Sequence, residues 1–481
     1  MTEQEFFDHF GDLTAEQIAT GILSELATFE ECQDTGVFSS TKQTRVKEIL
    51  KKKDMEFFES TINLVDLDEK CKALEKYLRI FPKGIKKDEV VKMIQEIRDR
   101  KGVEKNNREK EETMLQKLEN DINAYTPSEI RSGLSDKNLD YVCNKYGINK
   151  ELVKKFRDPF LTFNDIPQDK DDVPVGYTDV FFWGIPSSGK TSALGAILST
   201  IKIDYNMEDP TDDIKFGATY RHSLINTFSG EWVYIPGRTN VDRTQYMPFQ
   251  LYQRGEKNKR KISFFELSGE MFRHFYEEVY NTTLVEIDQE VEIDQTAEMD
   301  QTREEERIEK EREMRTEIKK TFESLELLLN NDNQKVHFFF IDYNREIESG
   351  KPDKYGLTQS NYLEAAATYF RDKKKIFKEK TNAVNVVVTK ADQIQGDDKG
   401  KAAKSFLNEN FGSFMYVLKN QCEGYSINFK IKHFSIGKVY FKRICEINRE
   451  YSKDIIDDLL FQINPQRRDS FIKRLIKKIN S

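Results

Sequence analysis

Hydrophobic and polar positions divide the chain into two parts with different periods. Residues 1–156 carry apolar residues at helical spacing, punctuated by capping signals, with no apolar run of strand type. Thr14-Ala15-Glu16-Gln17 and Thr126-Pro127-Ser128-Glu129 both read as capping boxes, the second with Pro127 at the first helical position. From residue 177 the pattern changes. Near-continuous apolar runs at 177–183, 230–235, 247–253, 261–267, 336–343, 383–389 and 429–435 alternate with helical stretches. Strands of this kind are buried on both faces, which predicts a mostly parallel sheet covered by helices. The run at 261–267 pairs with the one before it across a basic turn, 255–260.

Within the helical part, Cys32-Gln33-Asp34-Thr35-Gly36-Val37 recurs loosely as Cys143-Asn144-Lys145-Tyr146-Gly147-Ile148, an echo that chance explains as well as a duplicated hairpin does. Phe57-Phe58 followed by Ala73-Leu74-Glu75-Lys76-Tyr77-Leu78-Arg79-Ile80-Phe81-Pro82-Lys83-Gly84 resembles one unit of the helix-pair repeats related to the tetratricopeptide family. One unit is balanced between an adaptor surface and plain helical packing, because such arrays bury their faces by stacking several. Residues 98–120 form a charged helix or linker, and 157–176, with three prolines, connect the two parts. Residues 286–319 interrupt the strand series with an acidic low-complexity repeat and a charged helix, an insertion read as a solvated arm in preference to a partner-binding element. A basic amphipathic helix at 467–479 is read as packing on its neighbours, with contact to an anionic membrane or nucleic acid as the alternative. The expected organisation is therefore 1–156 helical, 157–176 linker, 177–450 α/β, and 451–481 C-terminal helices.

Composition narrows this picture. A length of 481 residues suggests about two to four domains. A formal net charge of −8 argues against a dedicated duplex-DNA binder, so nucleic acid is an unlikely partner. Five scattered cysteines (Cys32, Cys71, Cys143, Cys422, Cys445) without a C-x-x-C pair predict a reducing, cytoplasmic setting with no disulfide framework or zinc site. The acidic start has no apolar targeting core, and no window holds the roughly 18 apolar residues of a membrane span, so a soluble protein is expected.

The chemistry concentrates where the pattern changes. Gly184-Ile185-Pro186-Ser187-Ser188-Gly189-Lys190-Thr191 fits G-x-x-x-x-G-K-[ST] between an apolar strand and a helix that continues with Ser192. Its backbone N–H groups and the helix N-terminus suit a phosphate chain, Lys190 the β- and γ-phosphates, and the Thr191 hydroxyl Mg²⁺. Three further signals follow in order, each at the end of an apolar strand. They are Glu266-Leu267-Ser268-Gly269-Glu270, Thr389-Lys390-Ala391-Asp392 and Ser435-Ile436-Gly437-Lys438. Ligands of open α/β sheets bind at these strand ends.

This ordered set resembles the P-loop GTPases of the translation-factor-like (TRAFAC) clade, most of all bacterial GTPases fused to helical adaptor domains, some associated with defence systems. The resemblance covers residues 177–438. It implies a P-loop NTPase three-layer sandwich, GTP and Mg²⁺ as ligand and cofactor, and a switch read by a protein partner through the helical N-terminal region. By position it assigns Glu266 to water-mediated Mg²⁺ contact and Gly269 to the γ-phosphate. Asp392 would accept the guanine N–H groups, Lys390 pack along the base, Thr389 stand where Asn is commoner, and Ser435 and Ile436 form the loop around guanine O6. Gly437 intervenes before Lys438, a departure from the family's S-A-K. The moving, Mg²⁺-binding threonine is expected at Thr239, with Thr244 in reserve. Arg238 and Arg243 are candidates for a transition-state cation, or ordinary solvated arginines.

Two departures bear on turnover. Glu266 replaces the usual Asp, and Glu270 stands where many relatives carry a water-orienting Gln. Glu270 either orients the attacking water, making it catalytic with Lys190 and Thr239, or repels the γ-phosphate. Two alternatives therefore stand beside a GTP-hydrolysing switch. One is an ATPase in which Phe338-Phe339-Phe340-Ile341-Asp342 supplies the Mg²⁺-binding acid. The other is a GTP-binding scaffold without hydrolysis.

Overall fold

Seven strands pair in one sheet in the order β2-β4-β5-β1-β6-β7-β8. They are β1 (Thr178–Trp183), β2 (Asn206–Glu208), β4 (Gln245–Tyr252), β5 (Arg260–Glu266), β6 (Gln334–Asp342), β7 (Thr381–Thr389) and β8 (Asn428–His433). From β5 through β8 all neighbours are parallel, while β4 runs antiparallel to both β5 and β2. The computed structural model describes residues 2–157, 164–210, 216–237, 244–255, 258–282, 301–344, 352–373, 376–378 and 380–463, with 301–311 and 373 as backbone alone.

The continuous apolar runs are explained by burial on both faces. Along β1, Phe181 and Trp183 enter one core with Phe265, Phe339 and Val386. Val180 and Phe182 enter a second core on the opposite face with Phe264, Phe338 and Val387. Helices α10 (Lys190–Asp204), α11 (Ala218–Phe228) and α17 (Glu450–Gln462) supply side chains to the second core. The first core receives α12 (Met271–Tyr280), the end of α13 (Gln301–Asn330), α14 (Gln359–Thr368), α15 (Lys399–Asn410) and α16 (Gly412–Gly424). Helix α13 carries the charged part of the expected insertion. Arg312–Arg315 are exposed, but Leu325, Leu328 and Leu329 are buried, so its last turns belong to the core.

One expectation needs correction. The run at 230–235 does not join the main sheet: β3 (Trp232–Tyr234) pairs antiparallel with β10 (Ile444–Ile447), which pairs antiparallel with β9 (Gly437–Tyr440). The hairpin joining β9 to β10 turns through Phe441 and Lys442, both with φ in the left-handed region at 52° and 61°. Such turns favour Asn-Gly, so two side-chain-bearing residues here store strain.

Residues before 157 are helical throughout: α1 (Glu3–Asp8), α2 (Ala15–Leu23), α3 (Phe29–Asp34), α4 (Ser40–Ile62), α5 (Leu67–Ile80), α6 (Lys87–Asn120), α7 (Pro127–Gly133), α8 (Asp136–Tyr146) and α9 (Lys150–Lys154). Both expected capping boxes form, at Thr14 and Thr126. The chain divides into two compact units, Met1–Gln116 and Lys117–Ser481. In the first, Phe6, Ile18, Val46, Phe58 and Tyr77 build a separate core. The tetratricopeptide-like turn at 81–84 is held from below. The Tyr77 hydroxyl donates to the Asp54 carboxylate, which also accepts Ile85 N–H at 2.9 Å. In the second unit, Asn123 caps the strained hairpin by accepting Lys442 N–H at 2.8 Å and donating to Val439 O at 3.4 Å. Tyr234 of β3 donates to Leu152 O at 3.0 Å, and its ring meets Phe156 edge-on. Residues 121–156 are thereby fastened to the three-stranded sheet. The helix expected at 467–479 lies outside the described residues.

Candidate functional site: a phosphate-loop cleft

The buried strand β1 delivers the chain to a loop that turns back at Ser187 (φ 65°) and Gly189 (φ 80°) before α10 begins at Lys190. A residue caps a helix in the left-handed region at low cost only if it is glycine, which fits Gly189. Ser188 is buried, and its hydroxyl has no hydrogen-bond partner among the described residues. In an α-helix the first-turn N–H groups point out of the N-terminal end, and here that end is at Lys190. Buried donors facing one cavity are what a phosphate chain satisfies.

Beside this loop, β5 ends in Glu266, in register with Phe182 and fully buried. The Thr191 hydroxyl donates to Glu266 Oε1, Lys190 Nζ lies 3.7 Å from the same oxygen, and Tyr220 donates to Oε2 at 2.9 Å. Burial holds the Lys190 ammonium below the usual lysine range, with the Glu266 charge opposing. A hydroxyl and a carboxylate side by side at the head of α10 form an oxygen donor set that suits Mg²⁺ sharing a nucleotide's phosphates. Beyond Glu266 the chain folds back over the loop at Gly269. A Cβ there would stand 2.4 Å from Pro186 N and 2.6 Å from Ile185 C, so only glycine lets the two backbones approach this closely.

The far side of the loop is braced by β7. The Thr389 hydroxyl bonds Ser188 O at 2.8 Å and Ile341 O at 3.2 Å. Lys390, with φ 56°, reaches back to Asp342 Oδ2 at 2.9 Å. Asp342 also accepts Asn344 N–H, and Gln359 bonds its backbone at both ends. Asp392 is exposed and accepts the Ser435 hydroxyl at 2.7 Å. The Ser435 Oγ in turn accepts Gly437 N–H at 3.2 Å, which fixes the short loop before β9.

One cleft of about 1050 Å³ joins these parts, lined by residues 185–192, Gly269, Thr389, Lys390, Asp392 and Ile436. Gly184, Glu266 and Ser435 support it from behind rather than line it. Glu270 lines a smaller cavity of about 220 Å³ that shares Pro186 and Gly269 with the cleft. Lys438 lies outside the lining, its ammonium 5.0 Å from the Tyr440 ring centroid. Thr244 is fully buried, and its hydroxyl accepts Ser268 N–H at 3.4 Å, so it is a structural residue of β4's approach. Thr239, Arg238 and Arg243 lie outside the described residues. No family model matches the chain, and no curated protein is similar enough to it to count as a relative.

Several lining residues carry no motif: Asp121, Asn123, Ile235, Asn344, Lys442 and Arg443. They converge through pairings such as Ile235 N–H to Arg443 O at 2.8 Å and Arg443 Nε to Ile235 O at 2.7 Å. Tyr220 is equally unmarked in sequence; it sits in an ordinary amphipathic helix whose register against β5 only the fold reveals.

Proposed function

We propose that the chain binds GTP with Mg²⁺ in this cleft, hydrolyses it, and acts as a nucleotide-dependent switch for a protein partner. The observation that carries the reading is the convergence of Lys190 and Thr191 on the buried Glu266, with the exposed Asp392 bonded to the buried Ser435 in the same part of the molecule. The strand order, with β5 and β6 flanking β1 and antiparallel β4 outside β5, fits a P-loop NTPase sandwich. Lys190 and the α10 N-terminus would hold the phosphates, and Asp392 would accept the N1–H and N2–H₂ groups of guanine. Thr191 and Glu266 would hold Mg²⁺, which when bound supplies charge neutralisation on the phosphates. Asp121, Asn123 and Ala124, in the turn between α6 and α7, line the cleft, which supports the chain N-terminal to the sheet as the reader of nucleotide state.

The ATPase reading is disfavoured by Asp342, whose carboxylate is engaged by Lys390 and Asn344 rather than by Thr191. A scaffold that binds GTP without turnover draws on Glu270, the acidic residue that follows Gly269. The test is nucleotide selectivity. Titration is expected to give GTP tighter than ATP, with Asp392→Asn shifting preference toward xanthosine triphosphate. ATP preference in the wild type, or an Asp392→Asn variant unchanged in selectivity, refutes guanine recognition.

A further inference from the structure

We propose that Arg273 supplies the cationic charge for phosphoryl transfer, reaching the phosphate loop through the small cavity behind Gly269. The inference rests on the reading of the cleft as a GTP-hydrolysing site. Arg273 lies in the first turn of α12, three residues after Glu270, and both line the 220 Å³ cavity together with Pro186 and Gly269. Because Pro186 and Gly269 also line the large cleft, the two spaces abut the same stretch of phosphate-loop backbone.

The guanidinium is held with more structure than a surface arginine needs. Its Cζ lies over Tyr355, 4.5 Å from the ring centroid, Nη1 donates to the Tyr355 hydroxyl at 2.7 Å, and Nε donates to Glu277 at 3.3 Å. Tyr355 is itself presented by a tied loop. Asp353 accepts Tyr355 N–H at 2.9 Å, Leu357 N–H at 3.2 Å and the Tyr362 hydroxyl at 2.8 Å. A cation placed over an aromatic ring, in a cavity that shares Pro186 and Gly269 with the cleft, is pre-organised, and its long stem allows it to swing from the ring to a developing charge.

In the reaction a water oxygen bonds to the γ-phosphorus as the bond from phosphorus to the β–γ bridging oxygen breaks. The electron pair of that bond leaves on GDP, and the proton of the water passes to the released phosphate. Arg273 stabilises the charge that builds on the leaving and transferring oxygens, a contribution worth roughly 10³-fold or more where an arginine performs it.

Single-turnover hydrolysis of pre-bound GTP, run beside equilibrium binding of a fluorescent GTP analogue, tests this. Arg273→Ala is expected to lower the rate at least roughly 100-fold, with affinity within about threefold of wild type. Arg273→Lys, which keeps an ion pair for Glu277, should lose at least about tenfold, because an ammonium cannot replace the planar fork. Glu277→Gln removes that ion pair but keeps an acceptor for Nε and leaves the Tyr355 contacts, so its rate should fall far less than that of Arg273→Ala. Rates near wild type in both Arg273 variants, or an equal loss in Glu277→Gln, overturn the assignment. A wild-type protein that binds no GTP overturns the underlying reading instead, and that result is visible in the binding arm alone.

Discussion

Replacing Gly269 by alanine places a methyl group against atoms that cannot rotate away. The new Cβ would lie 2.4 Å from Pro186 N, 2.6 Å from Ile185 C and 2.8 Å from Pro186 Cα, all main-chain atoms of the phosphate loop. Ordinary contact between such atoms begins near 3.5 Å, so one of the two backbones must retreat by roughly 1 Å. Overpacking of this kind costs about 1–3 kcal/mol. If the phosphate loop is the part that yields, GTP binding weakens by roughly 5- to 150-fold. If the 268–270 segment yields, affinity holds and turnover falls by roughly 100-fold, the usual consequence of misplacing a reacting group by 1 Å. Gly412→Ala is the control: it opens α16 with no atom within 4 Å of the added Cβ, and is expected to be neutral. Equilibrium titration, single-turnover hydrolysis and thermal melting of both variants distinguish the cases. A Gly269→Ala protein with wild-type affinity, rate and melting temperature would refute the close approach itself.

Three further outcomes follow from the geometry. Thr191→Val removes the hydroxyl beside Glu266, so chelating Mg²⁺ should weaken GTP binding by roughly 10- to 100-fold in the wild type but barely in the variant; equal sensitivity refutes Thr191 as a ligand. His337 is fully buried, accepts Trp183 Nε1–H at 3.0 Å, and is pushed by burial from 6.5 down to about 3. Between those two values the unfolded chain binds a proton that the folded chain does not, so stability falls as pH drops through this window, by about 2 kcal/mol from pH 7 to pH 5. Urea melts of His337→Gln should show that much less pH dependence, and an unchanged slope counts against it. Asn123→Ala removes both bonds to the strained hairpin and should cost about 1–2 kcal/mol, with Lys442→Gly restoring roughly 1 kcal/mol by relieving its left-handed φ; a double variant no more stable than Asn123→Ala contradicts the strain.

The parts of this molecule that could be read from sequence are those whose signal is local. The strands at 177–183, 261–267, 336–343 and 383–389 announced themselves because double-sided burial demands unbroken apolar runs. Thr14 and Thr126 were legible because a capping box spans four residues. The loop at 184–191 could be named because G-x-x-x-x-G-K-[ST] fixes spacing and residue type within eight positions, whereas Asp392 was named only through a resemblance. What escaped depends on distant pairing. Strand β3 is three residues long and finds its partner β10 about two hundred positions away, so its run looked like a member of the main sheet. Asn123, Tyr220 and Tyr355 are ordinary polar or aromatic positions in sequence, and acquire roles only where the chain folds back on itself. The Lys390–Asp342 pair also lay hidden, because two residues in separate motifs each have a plausible role alone.

The chain contains two tryptophans, and the fold places one on each approach to the cleft. Trp183 is the last residue of β1, fully buried between His337 and Phe370, immediately before Gly184. Trp232 opens β3, half-buried against Tyr440, three residues before the cleft-lining Ile235. Nature has thus installed two optical reporters in different environments, a dry one at the phosphate loop and a wetter one on the segment leading to residues 238–243. Single-tryptophan versions, Trp183→Phe and Trp232→Phe, make intrinsic emission a label-free record of which wall moves first when a ligand arrives.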